Sequence, residues 1–547
     1  MNKIIRVSQI TVPLQHTRDQ VLKKACRRAG IRPGDVLRFS VAKQSVDARK
    51  KNDLKYSYAV DLEINRKIQI KKDSHVQEYV PVVYAPEADG TETPASPIAV
   101  IGSGPAGLFC AWLLAKYGYK PMVFERGKRV EERQEDVEAF WSGGRLDPES
   151  NVQFGEGGAG TFSDGKLNTQ VKDRCGRNRF VLETFVDCGA PEDILYVSRP
   201  HIGTDVLRVV ISNMRKEIIR MGGTFFFSSK VTDFRIENNR LTALEISHKT
   251  WQPVSAAVLA IGHSARDTFE ILKKRNVPMV PKAFAAGLRV EHPQHMINEN
   301  QYGKDADMSL LPTAFYKLAC QTSGGRNVYS FCMCPGGYVV NASSEEKRLA
   351  VNGMSYRARD SKNANSAVIV TVTPEDFADP DDPLSGLEFQ RRLEEKAWLS
   401  GNGAIPQQRF GDFEKSVRNI QTNPADGTSG FESCAKGKTS RADLSCIFPP
   451  EINEAFIEGM HMFGKKLAGF DRADAILSGV ESRTSSPVRI LREDSFESRI
   501  CGLYPCGEGA GYAGGITSAA MDGLKTAEAL MSRFKPAKTE KQTEDKN

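Results

Sequence analysis

A chain of 547 residues with 40% hydrophobic and 26% charged side chains has an ordinary globular composition, long enough for several domains at roughly 150 residues each. Its net charge of +7 permits an anionic substrate or partner without demanding nucleic acid. No apolar run approaches the ~20 residues that span a bilayer, MNKIIRVSQITVPLQ lacks a signal-peptide layout, and the 11 cysteines show no disulfide-type spacing; the expectation is a cytoplasmic protein with reduced thiols.

Residues 1–84 read as a small N-terminal α+β domain. Ile4 to Val12 has strand character, and Gln20 to Ala29 forms a basic amphipathic helix closed by Gly30. Val36 to Val46 and Lys55 to Ile64 follow as two further strands. The charged connection DARKKNDLK between them is either a solvated turn or a basic docking edge for an electron-donor protein or an RNA. Residues 85–97, rich in Pro, Glu, Thr and Ala without periodicity, make a linker.

The most informative stretch comes next, IAVIGSGPAGLFCAWLLAKYGYKPMVFE. Ile98 to Ile101 suits a buried parallel strand, an apolar helix pattern runs to Tyr117, and a second short strand, Met122 to Phe124, ends in Glu125. Gly102 permits the tight strand-to-helix turn, Gly104 lets a pyrophosphate approach the backbone, and Gly107 lets helix and strand pack closely. The helix N-terminus offers amides and partial positive charge to phosphates, and Glu125 can accept from a ribose diol. The bland alternative is a glycine-rich turn with no ligand. Ala111 and Gly118, where helix must pack on sheet, weigh against it.

Farther along, Val231 to Ile236 and Leu241 to Ile246, joined at Asn238-Asn239, make a β-hairpin, and AAVLAIGHSA is an apolar strand ending in Gly262. Strand, glycine-rich turn and helix return in ICGLYPCGEGAGYAGGITSAAMDGLKTAEA, from Ile500 to Ala529. The expected organisation is therefore a Rossmann-like α/β domain assembled from 98–281 and 496–534. An inserted α+β substrate or cap domain over 282–495 interrupts it, and a disordered tail spans 535–547. Within the insertion, Val328 to Cys332 and Ala367 to Val372 carry strand patterns. Cys332-Met-Cys334 is a close thiol pair, but CxC without a second pair or a His cluster is a poor zinc signal, and no metal is expected.

These segments resemble the glutathione-reductase type of two-dinucleotide-binding-domain flavoproteins. More closely, the chain resembles the uncharacterised bacterial FAD-dependent dehydrogenase family (NAD(FAD)-utilizing dehydrogenases). The small N-terminal domain, QFGEGGAGTFSDGKL, CPGG and GVESRTSSPVRI carry that likeness over nearly the whole chain. The resemblance implies FAD as cofactor. Gly102, Ser103, Gly104, Pro105, Ala106 and Gly107 would face its pyrophosphate, Glu125 and Arg126 the adenosine side, and Val231 the adenine through its backbone. Gly262 belongs to the same set. Gly507-Glu508 departs from the commoner Gly-Asp, so Glu508 would reach the ribityl chain from one methylene farther out. The helix starting at Gly515-Ile516 would aim its amides at the flavin N1–C2=O edge, where reduction leaves negative charge. Thr161, Ser163 and Lys166, in the glycine-rich loop 155–168, can bond the isoalloxazine edge; the alternative is a flexible surface loop.

Candidates for chemistry are fewer. Arg483 can clamp a carboxylate or phosphate, or pair with Glu481 or Asp522 for structure. Cys334 is a redox thiol over the flavin or an inert buried cysteine, and Lys166 is a third candidate. Cys506 and His263 read by default as packing residues. No CxxxxC follows the fingerprint, which argues against the usual disulfide-reductase chemistry, and no second dinucleotide fingerprint is present; NAD(P)H would visit as a transient donor. The reading is an FAD-dependent oxidoreductase acting on a small-molecule substrate, with a redox protein partner at the N-terminal domain as one source of electrons. An RNA-associated flavoprotein and a non-catalytic electron-transfer scaffold stay open as alternatives.

Overall fold

The computed structural model describes residues 2–420 and 430–537. The expected disordered tail lies outside the described residues from 538 onward. Among the described residues, no helix is long and apolar enough to cross a membrane.

At the N-terminus, Asn2–Pro13, Lys55–Asn65, Val36–Asp47 and Val76–Tyr79 form a four-stranded antiparallel sheet. Alternating apolar residues such as Ile5, Val7, Val60 and Leu62 point to the face covered by the helix Arg18–Ala29. Both helix ends obey local rules. Thr17 and Gln20 make a reciprocal capping box, and Gly30 takes the left-handed conformation that closes the last turn. Backbone bonds from Gln44 to Tyr196 and Ser198 fasten this sheet to the main body.

The central layer is a five-stranded parallel sheet in the order Leu503–Pro505, Ala256–Leu259, Ile98–Ile101, Met122–Phe124, Thr224–Phe226. Its middle strands are buried on both faces and accordingly read as unbroken apolar runs. Helices Pro105–Lys116 and Ile516–Arg533, from opposite ends of the sequence, pack on one another beside it. The approach is close enough that a Cβ at Gly523 would stand 2.1 Å from the Ala106 carbonyl oxygen, and one at Gly107 would stand 1.9 Å from that of Gly102. The hairpin Val231–Glu237 and Arg240–Ile246 turns through Asn238 and Asn239, both at positive φ, as a two-residue asparagine turn allows.

The insertion is built on a seven-stranded, mainly antiparallel sheet running from Ala319–Gln321 at one edge to Thr439–Arg441 at the other. Phe284–Pro293 and Asn363–Val372 are its central strands, paired over ten residues. Helices Ser385–Ser400 and Pro450–Gly464 support it. These two helices have no counterpart in the sequence reading of this region as short strands and turns, because their apolar positions are interleaved with buried Gln390, Glu394 and Asn453.

Candidate active site

The carboxyl ends of the parallel strands open into a cavity of about 480 Å³, closed on its far side by the inserted sheet. Gly102, Glu125, Ala260 to Gly262 and Cys506 follow their strands directly onto its wall. This is where open α/β sheets bind ligands, because each strand end releases its chain into a loop there. Two helix N-termini face the same space: Gly104, Pro105 and Ala106 start one helix, and Gly514, Gly515 and Ile516 start the other. Their amides and dipoles favour an anion.

The wall has been kept bare by glycine. A Cβ at Gly262, Gly514 or Gly515 would find no protein atom within 4 Å, and one at Gly104 would find only Gly158 Cα at 3.7 Å. Beside them, His263 lines the cavity with Nδ1 3.5 Å from the Glu508 carboxylate, while its buried Nε2 has no partner within the protein. Surfaces left bare and a buried polar atom left unsatisfied are what a large bound group with its own polar atoms would complete.

Glu125 is on the wall but already occupied. One carboxylate oxygen accepts from the Ser103 amide at 2.9 Å and the Ser103 hydroxyl at 2.7 Å. The other accepts from the amides of Gly127 at 2.9 Å and Gly155 at 3.1 Å. It thereby ties the fingerprint turn to the loop after the helix Val130–Trp141. Arg126 lines the cavity with its guanidinium bonded to Glu149 and Asp267 and stacked 4.0 Å from the Phe154 ring centroid. Ser163, Lys166, Val231, Gly262, Glu508 and Ile516 also reach the wall. Thr161 and Gly507 stand behind it: the Thr161 hydroxyl donates to the Glu156 carbonyl, and the Gly507 amide donates to Asp522.

Arg483 lies on the wall, yet its partner is neither Glu481 nor Asp522. Nε and Nη2 each donate at 2.8 Å to Glu394, and Nη1 donates to Ser264 and Ser344. Glu394 accepts a second guanidinium, Arg266, at 2.7 and 2.8 Å. Burial would raise the Glu394 carboxyl, but the two arginines outweigh it and hold the group well below the usual carboxylate range.

A second polar cluster enters from the inserted sheet. Cys332, rather than Cys334, lines the cavity; Cys334, two residues on, is fully buried. The strand Asn327–Cys334 bulges between Phe331 and Cys334, and Cys332 has a φ of 45°. Arg289 pins the bulge, donating to the Cys332 carbonyl at 2.5 Å and to Glu481 at 3.0 Å, while Lys166 donates to the Met333 carbonyl. Burial pushes the Glu481 carboxyl up to about 7 against the pull of Arg289. For Asp164, burial acts in the same upward sense, but Lys166 and Arg359 override it and keep the carboxyl low. Sequence reading noted the CxC spacing without its direction. The bulge that turns Cys332 toward the cavity depends on cross-strand pairing with Ala367 and Asn365, which adjacent residues do not reveal.

Residues 283–484 match the family described as FAD-dependent protein, C-terminal domain-like. Residues 100–134 match an NAD(P)-binding Rossmann-like domain, and residues 4–63 match a domain of unknown function. A Clostridium beijerinckii protein, described as uncharacterized, is 47% identical over 542 residues, covering 97% of this chain and 99% of that one. Solved structures give looser likenesses. An E. coli quinol fumarate reductase is 11% identical with TM-score 0.35, over 80% of this chain and 69% of that one. A geranylgeranyl bacteriochlorophyll reductase-like protein from Thermoplasma acidophilum is 13% identical with TM-score 0.34, over 81% and 80%.

Proposed function

This chain belongs to the same family as its clostridial relative, and from that premise, with its FAD-dependent C-terminal domain, we propose that it is an oxidoreductase whose cavity holds FAD and a small-molecule substrate. The observation that carries the reading is the bare glycine wall between two helix N-termini, completed by the unsatisfied His263 Nε2.

The wall residues divide the work. Gly102 to Ala106 would hold the pyrophosphate, through amides at the positive end of the first helix. Ser103 and the main chain near Glu125 would face the adenosine, with Val231 on the adenine side. Glu508 and His263, side by side on the wall, would offer an acceptor and a donor to a hydroxylated chain. Ile516 begins the helix whose positive end would lie against the flavin carbonyl edge. When bound, FAD supplies two-electron transfer. The inserted sheet then shields the site from water, and Glu481, buried and held near neutral pH by opposing effects, can keep or release a proton beside it. Lys166, Lys317 and Arg483 share this end of the cavity with Asp164 and Glu481, a mixed charged lining suited to a polar substrate, with NAD(P)H as a transient visitor.

The test is spectroscopic. Purified protein should be yellow, release FAD on denaturation, and bleach on anaerobic mixing with NADH or NADPH. A colourless protein that takes up no added FAD would end the proposal; flavin that neither nucleotide bleaches would remove only the nicotinamide donor.

A further inference from the structure

Two thiols, two cations and a buried acid meet at the inserted-sheet side of the cavity. Cys332 opens onto the cavity and Cys334 lies fully buried behind it. The Cys334 thiol turns back on Cys332 and donates to its carbonyl oxygen at 3.2 Å. Arg289 reaches to 3.7 Å from the Cys334 sulfur, and Lys166 is anchored on the intervening Met333. The bulge breaks the regular strand, in which residues two apart stand about 7 Å from one another, and brings the Cys334 thiol back onto the Cys332 main chain.

We propose that Cys332 and Cys334 form a redox-active dithiol–disulfide pair that exchanges with small-molecule disulfides entering the cavity. Cys332 is the attacking thiolate. Its sulfur bonds to one sulfur of the incoming disulfide, whose S–S bond breaks and releases one thiolate. Cys334 then loses its proton and attacks the Cys332 sulfur, expelling the second thiolate. The sum is one external disulfide and two protein thiols converted to one protein disulfide and two external thiols, with electrons and protons balanced. Around the pair stand Lys166, Arg289, Glu481 and Asp164. The hydrogen bond from Cys334, then Lys166 and Arg289, pull the Cys332 thiol below its ordinary range against burial, while burial raises Cys334. One sulfur is thus set up to attack first and the other to resolve. The proton Cys334 gives up passes to an expelled thiolate, while Arg289 holds both Glu481 and the Cys334 sulfur.

The exchange needs no bound cofactor, so it stands or falls separately from the flavin reading, which the absorbance of the same sample reports. The probe is 2-hydroxyethyl disulfide, added to the purified full-length protein, followed by acid quench, maleimide labelling and peptide mass analysis. The expected result is an unlabelled 332–334 peptide lighter by two hydrogens, formed before the exposed Cys175 and Cys446 react. Cys334→Ser should instead trap the mixed disulfide on Cys332. A second readout keeps both thiols: alkylation of Cys332 by iodoacetamide should stay nearly level from about pH 6 to about pH 8, where an ordinary thiol accelerates roughly tenfold per unit. Reaction first at Cys175 or Cys446, no adduct in a folded Cys334→Ser protein, or an ordinary pH slope at Cys332 would each overturn the proposal.

Discussion

Gly104→Ala separates cofactor binding from folding at a single methyl group. Gly104 has φ −71° and ψ −177°, a conformation open to any residue, and the added Cβ would meet no protein atom nearer than 3.7 Å. Loss of a glycine N-cap and the reduced entropy of the unfolded chain offset one another, leaving stability changed by less than about 1 kcal/mol. The methyl instead projects where a pyrophosphate would lie against the backbone. Crowding a tightly packed contact costs about 1–3 kcal/mol, which weakens binding roughly fivefold to a hundredfold at about 1.4 kcal/mol per tenfold. Gly107→Ala is the opposite control. Its Cβ would stand 1.9 Å from the Gly102 carbonyl oxygen and 3.3 Å from Val100, so the helix must move off the sheet and the protein should lose stability outright. The assay is FAD titration of the apoprotein by flavin fluorescence, beside thermal melting of each variant. A folded Gly104→Ala protein that binds FAD as tightly as the parent would refute this placement of the phosphates.

Two further outcomes concern buried charge. Glu394→Ala leaves Arg266 and Arg483 without their shared carboxylate in the interior, and should cost about 3–5 kcal/mol in urea unfolding with an unchanged m-value; a loss under about 1 kcal/mol would mean the network is redundant. His292 is fully buried, with Nε2 2.7 Å from the Phe470 carbonyl and Nδ1 without a partner, and burial pulls its pKa down to about 4. Because the unfolded chain binds the proton more readily, this histidine contributes stability that is present above about pH 6.5 and is lost as pH falls toward about 4, roughly 3 kcal/mol in all. His292→Phe should flatten that part of the stability profile measured by urea unfolding at successive pH values, and an unaltered acid slope would show that other groups set it.

The sequence alone carried what local chemistry enforces. Gly102, Gly104 and Gly107 announced a strand–turn–helix because a tight turn and a close helix each need glycine at their own step, and the structure has strand Ile98–Ile101 and helix Pro105–Lys116 at those places. Asn238-Asn239 and Gly30 marked a hairpin turn and a helix end for the same reason: positive φ favours few residue types. The return of Ile500 to Ala529 as strand, glycine turn and helix was legible from its pattern as well.

What tertiary structure decided was which side chains already have partners. Arg483 and Glu394 are 89 positions apart, and Glu125 spends its carboxylate on Ser103, Gly127 and Gly155. Pairings of that kind are set by how strands far apart in sequence align, and no spacing encodes them. The direction of Cys332 was equally hidden. A period of two puts residues 332 and 334 on the same face, but one extra residue in the strand turns one thiol to the cavity and leaves the other in the core.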